Sequence, residues 1–306
     1  MPQKIKSVIL TGCTGGIGVA LVNECVRRGM EVWAVCRPQS ARIAHLPQSA
    51  SVHVVECDIA DYASLHGAGI AADAFVHFAW EKTFGAGRDD LDCQLKNVQY
   101  TLDAVRLARA CGCKVFVGAG SQAEYGIKSE PLRGDTPVEP QSGYGIAKYA
   151  AGKFSRNLCA QYGIRHCWVR IVSTFGLNDA GYTLISYLLD TLLSGGTPEL
   201  TPCGQVWDYL YFTDAAKAFA SVLEKGRDGA VYPLGSGMPR KLKEYVCALR
   251  DLAAPQAELK FGAKEYYPHQ PMVLAADISE LTADTGWAPE MSFEDGIREM
   301  LKAREV

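Results

Sequence analysis

Tyr144 and Lys148 stand four residues apart in Ser142-Gly-Tyr144-Gly-Ile-Ala-Lys148, and Ser121 lies upstream in Gly120-Ser121-Gln122-Ala-Glu124-Tyr125-Gly. On a helix, residues at this spacing share a face, so the phenol and the ammonium point into one space. A nearby cation stabilises phenolate and lowers a pKa that is about 10 in isolation. Tyrosine then becomes a usable proton donor or acceptor near neutral pH. The Ser121 hydroxyl is placed to orient the carbonyl or alcohol oxygen being transformed. A solvated pair on a helix surface would have the same spacing, so the elements that position these residues decide between the two readings.

Those elements begin at the N-terminus. Ser7 to Leu10 is a short apolar run rich in strand formers, followed at once by Thr11-Gly12-Cys13-Thr14-Gly15-Gly16-Ile17-Gly18. Val19 to Val26 is apolar with helical spacing and ends in Arg27-Arg28-Gly29, basic residues with a glycine stop. Glu31 to Val35 reads as a second strand. The glycines therefore fall between a strand and a helix, the setting a dinucleotide fingerprint requires. Residues without Cβ let the backbone approach a pyrophosphate, which then rests on the helix N-terminus. Gly12, Thr14, Gly15, Gly16, Ile17 and Gly18 are the candidate contacts.

The residue that ends the second strand selects the cofactor. A carboxylate there suits the ribose 2′-hydroxyl of NAD, and an arginine nearby suits the 2′-phosphate of NADP. Here the strand ends in Cys36-Arg37-Pro38, with no acid. NADP(H) is favoured, through Arg37 with help from Arg42, and NAD(H) is the alternative. Asp58 and Ile59 follow a third strand, Val52 to Glu56, and are placed to meet the adenine edge.

With these motifs in hand, the chain resembles the extended short-chain dehydrogenases/reductases, the NAD-dependent epimerase/dehydratase group. Gly12, Gly15 and Gly18 fit the extended spacing, although Gly12, Gly16 and Gly18 fit the compact one. Ser121, 23 residues before Tyr144, and the chain length favour the extended form. His77-Phe78-Ala79 is similar to the fourth-strand motif, and Asn97 to the helix asparagine. Arg170 to Gly176, Asp208 to Asp214, Asp277 to Leu281 and Gly286-Trp287 resemble later segments in the same order. The resemblance implies a doubly wound parallel sheet of Rossmann type with a smaller C-terminal substrate-binding lobe. It also implies that Tyr144 passes the proton, Lys148 holds the nicotinamide ribose, Ser121 binds the reacting oxygen and Asn97 supports the lysine through water. Phe78 and Ala79 would touch the cofactor. A homodimer formed through two long helices is implied as well.

Composition agrees with a cytoplasmic enzyme. The chain has 306 residues, 48% hydrophobic, with a formal charge of −3. That length allows a sizeable core, and that charge gives no face for nucleic acid. No apolar run reaches membrane-spanning length, and the first residues lead straight into a strand. Eleven scattered cysteines, an odd number, suggest reduced thiols in the cytosol. Neither they nor the six histidines have ligand spacing, so no metal is expected.

Strand and helix patterns alternate to about Gly176. Residues 1–176 read as the dinucleotide-binding core, completed by about 206–234, with 177–205 and 235–306 forming the lobe. Asp89 to Cys111 reads as a helix carrying Asn97, Ser142 to Gln161 as the catalytic helix, and Lys128 to Gln141 as a loop. Members that dehydrate sugars carry Asp-Glu just after the catalytic hydroxyl residue; here Gln122 and Ala123 occupy those places, and Glu124 falls one place late. A reductase of a 4-keto-6-deoxy nucleotide sugar is expected, with a nucleotide-sugar 4-epimerase as the alternative. Trp80, Gln122, Asn178 and Trp207 are the candidate substrate contacts. Trp207 stands where an arginine usually grips the diphosphate, and Tyr266 to Gln270 supplies no second one. Arg240 or Lys241 are possible replacements. Phe78, Trp80, Phe84 and Trp207 would also suit a smaller ketone or aldehyde, a third reading. A non-catalytic NADP(H)-responsive binder is a fourth, disfavoured by the intact triad.

Overall fold

The structure, a computed structural model, describes residues 4–267 and 270–304. Seven parallel strands form the central sheet: β1 (Ser7–Thr11), β2 (Glu31–Cys36), β3 (Val52–Glu56), β4 (Ala74–His77), β5 (Val115–Ser121), β6 (Arg165–Ile171) and, late in the chain, Val231–Leu234. Their order is the late strand, β6, β5, β4, β1, β2, β3. The inner strands are covered on both faces, which is why they read as apolar runs, whereas the edge strand β3 is only partly covered.

The two faces are filled by different helices. Val8 and Leu10 of β1 point into a cluster with Leu21 and Val22 of α1 (Gly16–Arg27) and with Phe219 and Leu223 of a later helix. Ile9 points the other way, toward Phe75, Phe116 and residues Ala104 to Ala108 of α2 (Leu91–Ala110). Next to α2 packs α3 (Gly143–Tyr162), which begins one residue later than expected because Ser142 is its cap, accepting from the Gly145 N–H. Gly163 ends it in the left-handed conformation. Asp90 caps α2 in the same way, so Asp89, expected inside that helix, lies before it.

Beyond β6 the elements are short: β7 (Thr174–Phe175), α4 (Leu184–Leu193), β8 (Glu199–Leu200), β9 (Val206–Trp207), β10 (Leu210–Tyr211), α5 (Phe212–Lys225), which carries Phe219, β11 (the late strand, Val231–Leu234), β12 (Arg240–Lys241), α6 (Leu242–Ala253), β13 (Lys260–Phe261), β14 (Val273–Leu274), α7 (Ser279–Thr285) and α8 (Phe293–Lys302). Leu188 and Leu192 of α4, Tyr245 and Leu249 of α6, and Phe293 and Ile297 of α8 make a separate apolar cluster. We propose on this basis the division into core and lobe expected at 176, 206 and 234. Two buried carboxylates stitch the parts together. Asp208 accepts from the backbone of Ser236, Gly237 and Ala276. Asp214 accepts from the backbone of Glu290 and Met291.

The sheet order reverses between β1 and β4, and a ligand crevice forms outside the carboxyl ends of strands at such a point. Among the described residues, no helix is long and apolar enough to cross a membrane, and no cluster of His, Cys, Asp and Glu could hold a metal ion.

Candidate active site

A cleft of about 460 Å³ opens at the carboxyl ends of β1, β4 and β5. Gly12, Gly15, Gly16, Ile17, Gly18 and Phe78 line one part of it; Trp80, Ser121, Gln122, Tyr144 and Lys148 line another. Residues far apart in sequence thus meet as the strand ends require.

The glycine loop is shaped by three close approaches, one of them at Gly18, where a Cβ would lie 2.4 Å from the Gly12 carbonyl oxygen. Gly12 has φ of 68°, and a Cβ there would lie 2.7 Å from the Ala79 N. A Cβ on Gly16 would run into the Phe212 ring at 2.1 Å. A Cβ on Gly15 would meet no protein atom nearer than the Gly12 carbonyl oxygen, at 3.6 Å. No side chain caps α1 at Gly15. Its first-turn N–H groups therefore lack intrahelical acceptors and face the cleft, as a pyrophosphate requires. The residues present fit a dinucleotide cofactor. Thr14 is half-buried in this loop.

Ser121 closes β5 and caps the short 3₁₀ turn that follows, accepting from the Ala123 N–H. Its hydroxyl and the Tyr144 phenol line the same part of the cleft. Burial pushes that phenol above its ordinary value, and the Ser121 hydroxyl and the Arg88 guanidinium pull it back. The Lys148 ammonium donates to the Ala119 carbonyl at 2.7 Å and sits 3.8 Å from the Trp80 ring centre. Burial pushes it down to about 7.

Glu124 has a role the sequence did not announce. Fully buried, it accepts from the Ser121 N–H (2.8 Å), the Trp168 indole (2.9 Å) and Arg170 Nε (2.7 Å). It fixes the backbone that presents Ser121, and its own oxygens are committed.

Asn97 spends its side-chain amide on both the N–H and the carbonyl of Glu81, because α2 packs beneath the loop after β4. Gln94, unrecognised in the sequence, does the same one turn earlier, accepting from the Trp80 indole and donating to the Lys82 and Gly87 carbonyls. Asn178 is exposed with φ of 61°, and its neighbour Asp179 lines the cleft instead. Trp207 is turned to donate to Ser173 Oγ at 3.1 Å, so Ser173 meets the cleft. Arg240 is paired with Glu294. In the Tyr266 to Gln270 stretch, Pro268 and His269 lie outside the described residues.

At the adenosine end, Arg37 follows β2 in an exposed position, and Asp58 caps a 3₁₀ turn beginning at Ile59 by accepting from the Ala60 N–H. Behind the glycine loop, Cys13 and Cys36 bring their thiols within 3.2 Å. All eleven cysteines are free. Across the mouth, Phe84 and Tyr182 stack with ring centres 3.9 Å apart, joining the loops after β4 and β7.

Comparison with known proteins gives the same frame. The chain is 23% identical to the CDP-abequose synthase of Salmonella muenchen, covering 98% of each chain. It is 23% identical to the dTDP-4-dehydro-6-deoxyglucose reductase of Escherichia coli, covering 99% of each. It superposes with a TM-score of 0.85 and 24% identity on DesIV, a dTDP-glucose 4,6-dehydratase from Streptomyces venezuelae solved with NAD and TYD bound, covering 98% of each. Residues 8–235 match the NAD dependent epimerase/dehydratase family, and the chain belongs to it.

Proposed function

We propose that the protein is a reductase that uses NADPH to reduce the keto group of a nucleotide-linked 4-keto-6-deoxy sugar. The observation that carries the reading is the convergence of Ser121, Tyr144 and Lys148 on one cleft in which the two places after Ser121 hold Gln122 and Ala123 rather than a pair of acids, while Glu124 is buried against Arg170. A dehydratase needs such acids and a reductase does not. Similarity to a dTDP-4-dehydro-6-deoxyglucose reductase supports the choice, and Arg37, in place of an acid after β2, supports NADPH.

The bound cofactor supplies the hydride. Ser121 hydrogen-bonds the reacting oxygen, Tyr144 gives it the proton, and Lys148 holds the charge that tyrosine acquires. Trp80 and Gln122 line the space for the sugar. The glycine loop and α1 N-terminus hold the pyrophosphate, with Phe78 and Ala79 behind it and Asp58 and Ile59 toward the adenine. The two-helix face formed by α2 and α3 pairs two copies into a homodimer.

Titration with NADPH and NADH, followed by assay on a dTDP- or CDP-linked 4-keto-6-deoxyhexose, tests the reading. The expected result is exchangeable binding that prefers NADPH, with the preference lost in Arg37→Ala. Tyr144→Phe should bind cofactor and lose turnover by about 10² to 10⁴. Tightly held NAD with no preference for the 2′-phosphate would put a 4-epimerase first. Turnover of a small ketone or aldehyde alone would move the substrate outside nucleotide sugars. A wild type without turnover on either class would favour a cofactor-responsive binding protein.

A further inference from the structure

We propose that Arg88 is a positioning residue for Tyr144, a second cation that stabilises its tyrosinate form from within the cleft. The proposal rests on Tyr144 being the proton-transferring group.

Two cationic side chains line the cleft, Lys148 and Arg88. The Arg88 guanidinium carbon lies 4.7 Å from the centre of the Tyr144 ring, whereas the Lys148 nitrogen lies 5.9 Å away. The lysine is also divided among other partners, since it donates to the Ala119 carbonyl and rests over Trp80. Arg88 Nε is buried with no hydrogen-bond partner. An arginine so placed keeps its charge at every accessible pH, while burial leaves Lys148 only partly charged near neutrality. A cation over a phenol ring is attracted to the ring face, and more strongly once the ring carries negative charge.

The turn that carries Arg88 is held in place on three sides. Asp89 accepts from the Gly143 N–H at the start of α3, the helix that bears Tyr144. Gln94 of α2 donates to the Gly87 carbonyl, and Lys82 pairs with Asp90. The cation is thus fastened to the element it serves. Other groups facing Tyr144 are accounted for. The Ser121 hydroxyl favours its ionisation; Glu124 opposes it and is itself paired with Arg170; Asp179 lines the same cleft from the loop after β7.

Protein carrying ¹³Cζ-labelled tyrosine, saturated with NADP⁺ or with NAD⁺ if that binds more tightly, allows the phenol to be titrated by NMR, with the Tyr144 signal identified by its loss in Tyr144→Phe. Loss of the cation from Arg88→Met should raise the Tyr144 midpoint by about one pH unit, which lowers the tyrosinate fraction about tenfold on the acid side of both midpoints. Arg88→Gln, which keeps a polar side chain and serves if the first variant folds poorly, should shift it equally, and Arg88→Lys should restore at least half of the shift. A variant phenol that no longer ionises below the unfolding pH counts as a raised midpoint. Equal midpoints in wild type and both neutral variants, or a wild-type phenol that never ionises, would overturn the proposal. This readout needs no substrate, so its failure is distinct from failure of the reductase assay.

Discussion

A lysine whose charge is opposed by burial destabilises the fold whenever it is charged. Lys148 titrates at about 7 in the folded chain against an ordinary 10.5. Between those values the unfolded chain binds the extra proton, so this group makes stability rise with pH from about 7 to about 10.5; below about 7 its penalty is fully present. Lys148→Met should therefore melt higher than wild type at pH 6 to 7, the gap closing toward pH ~10. Its ceiling is roughly 5 kcal/mol at about 1.4 per pH unit. The Ala119 carbonyl, left without its donor, subtracts about 1 kcal/mol. Paired thermal melts across that range check it; a gap that is constant or widens with pH would remove Lys148 as the cause. Tyr144 and Lys148 were legible because both lie on one helix, where spacing alone sets a shared face. Arg88 was not: it sits in a 3₁₀ turn without periodicity, and its partner is 56 residues away, from Arg88 to Tyr144. Glu124 looked like a strand-end acid because its partner Arg170 is 46 residues distant.

Position within an element explains what α2 contributes. Gln94 and Asn97 are polar residues on the same helical stripe as Val98 and Val105, both are buried, and they spend their amides on the loop from Trp80 to Gly87. That loop presents both Trp80 and Arg88 to the cleft. Asn97→Ala leaves the Glu81 N–H and carbonyl without partners and should cost about 1 to 3 kcal/mol. Urea unfolding gives that number. Hydrogen exchange should locate the loss of protection in the 80–88 loop rather than in the sheet; uniform loss across the sheet would refute the bracing role. The long elements were readable: β1, β2, β3, α2 and α3 fall within a residue or two of expectation, and α1 starts three residues earlier than the apolar run from Val19 suggested. Two-residue strands such as β8, β9, β12 and β14 were not, because two residues carry no period and their pairing is decided by Asp208 and by the packing of α4, α6 and α8.

Each copy leaves an apolar face that the folded chain does not cover. Leu91 and Leu95 of α2 lie one turn apart, as do Ile146, Ala150 and Phe154 of α3, and the two helices pack side by side. Leu91, Leu95, Ile146 and Phe154 are each more than half exposed. Four large apolar side chains on adjacent helices are expensive to keep in water, at about 25 cal/mol per Å². The opposite faces of these helices already serve the sheet, so the proposed occupant is a second copy of the same surface, an α2–α3 pair meeting its twin about a two-fold axis. The wild type should sediment as a dimer, and Leu95→Glu with Phe154→Glu should sediment as a monomer, because burying two added carboxylates per subunit opposes association. The monomer should melt at a lower temperature, and the wild-type melt should depend on protein concentration where the variant's does not. A monomeric wild type at micromolar concentration, or a double variant that remains dimeric, would move the subunit contact away from α2 and α3. The same contact also bears on the chemistry. Asp89 ties the Arg88 turn to the N-terminus of α3, and Leu91 begins α2 two residues later. Dimer formation would therefore steady the turn that approaches Tyr144, and the monomeric variant should show faster hydrogen exchange at residues 85–89 than the dimer does.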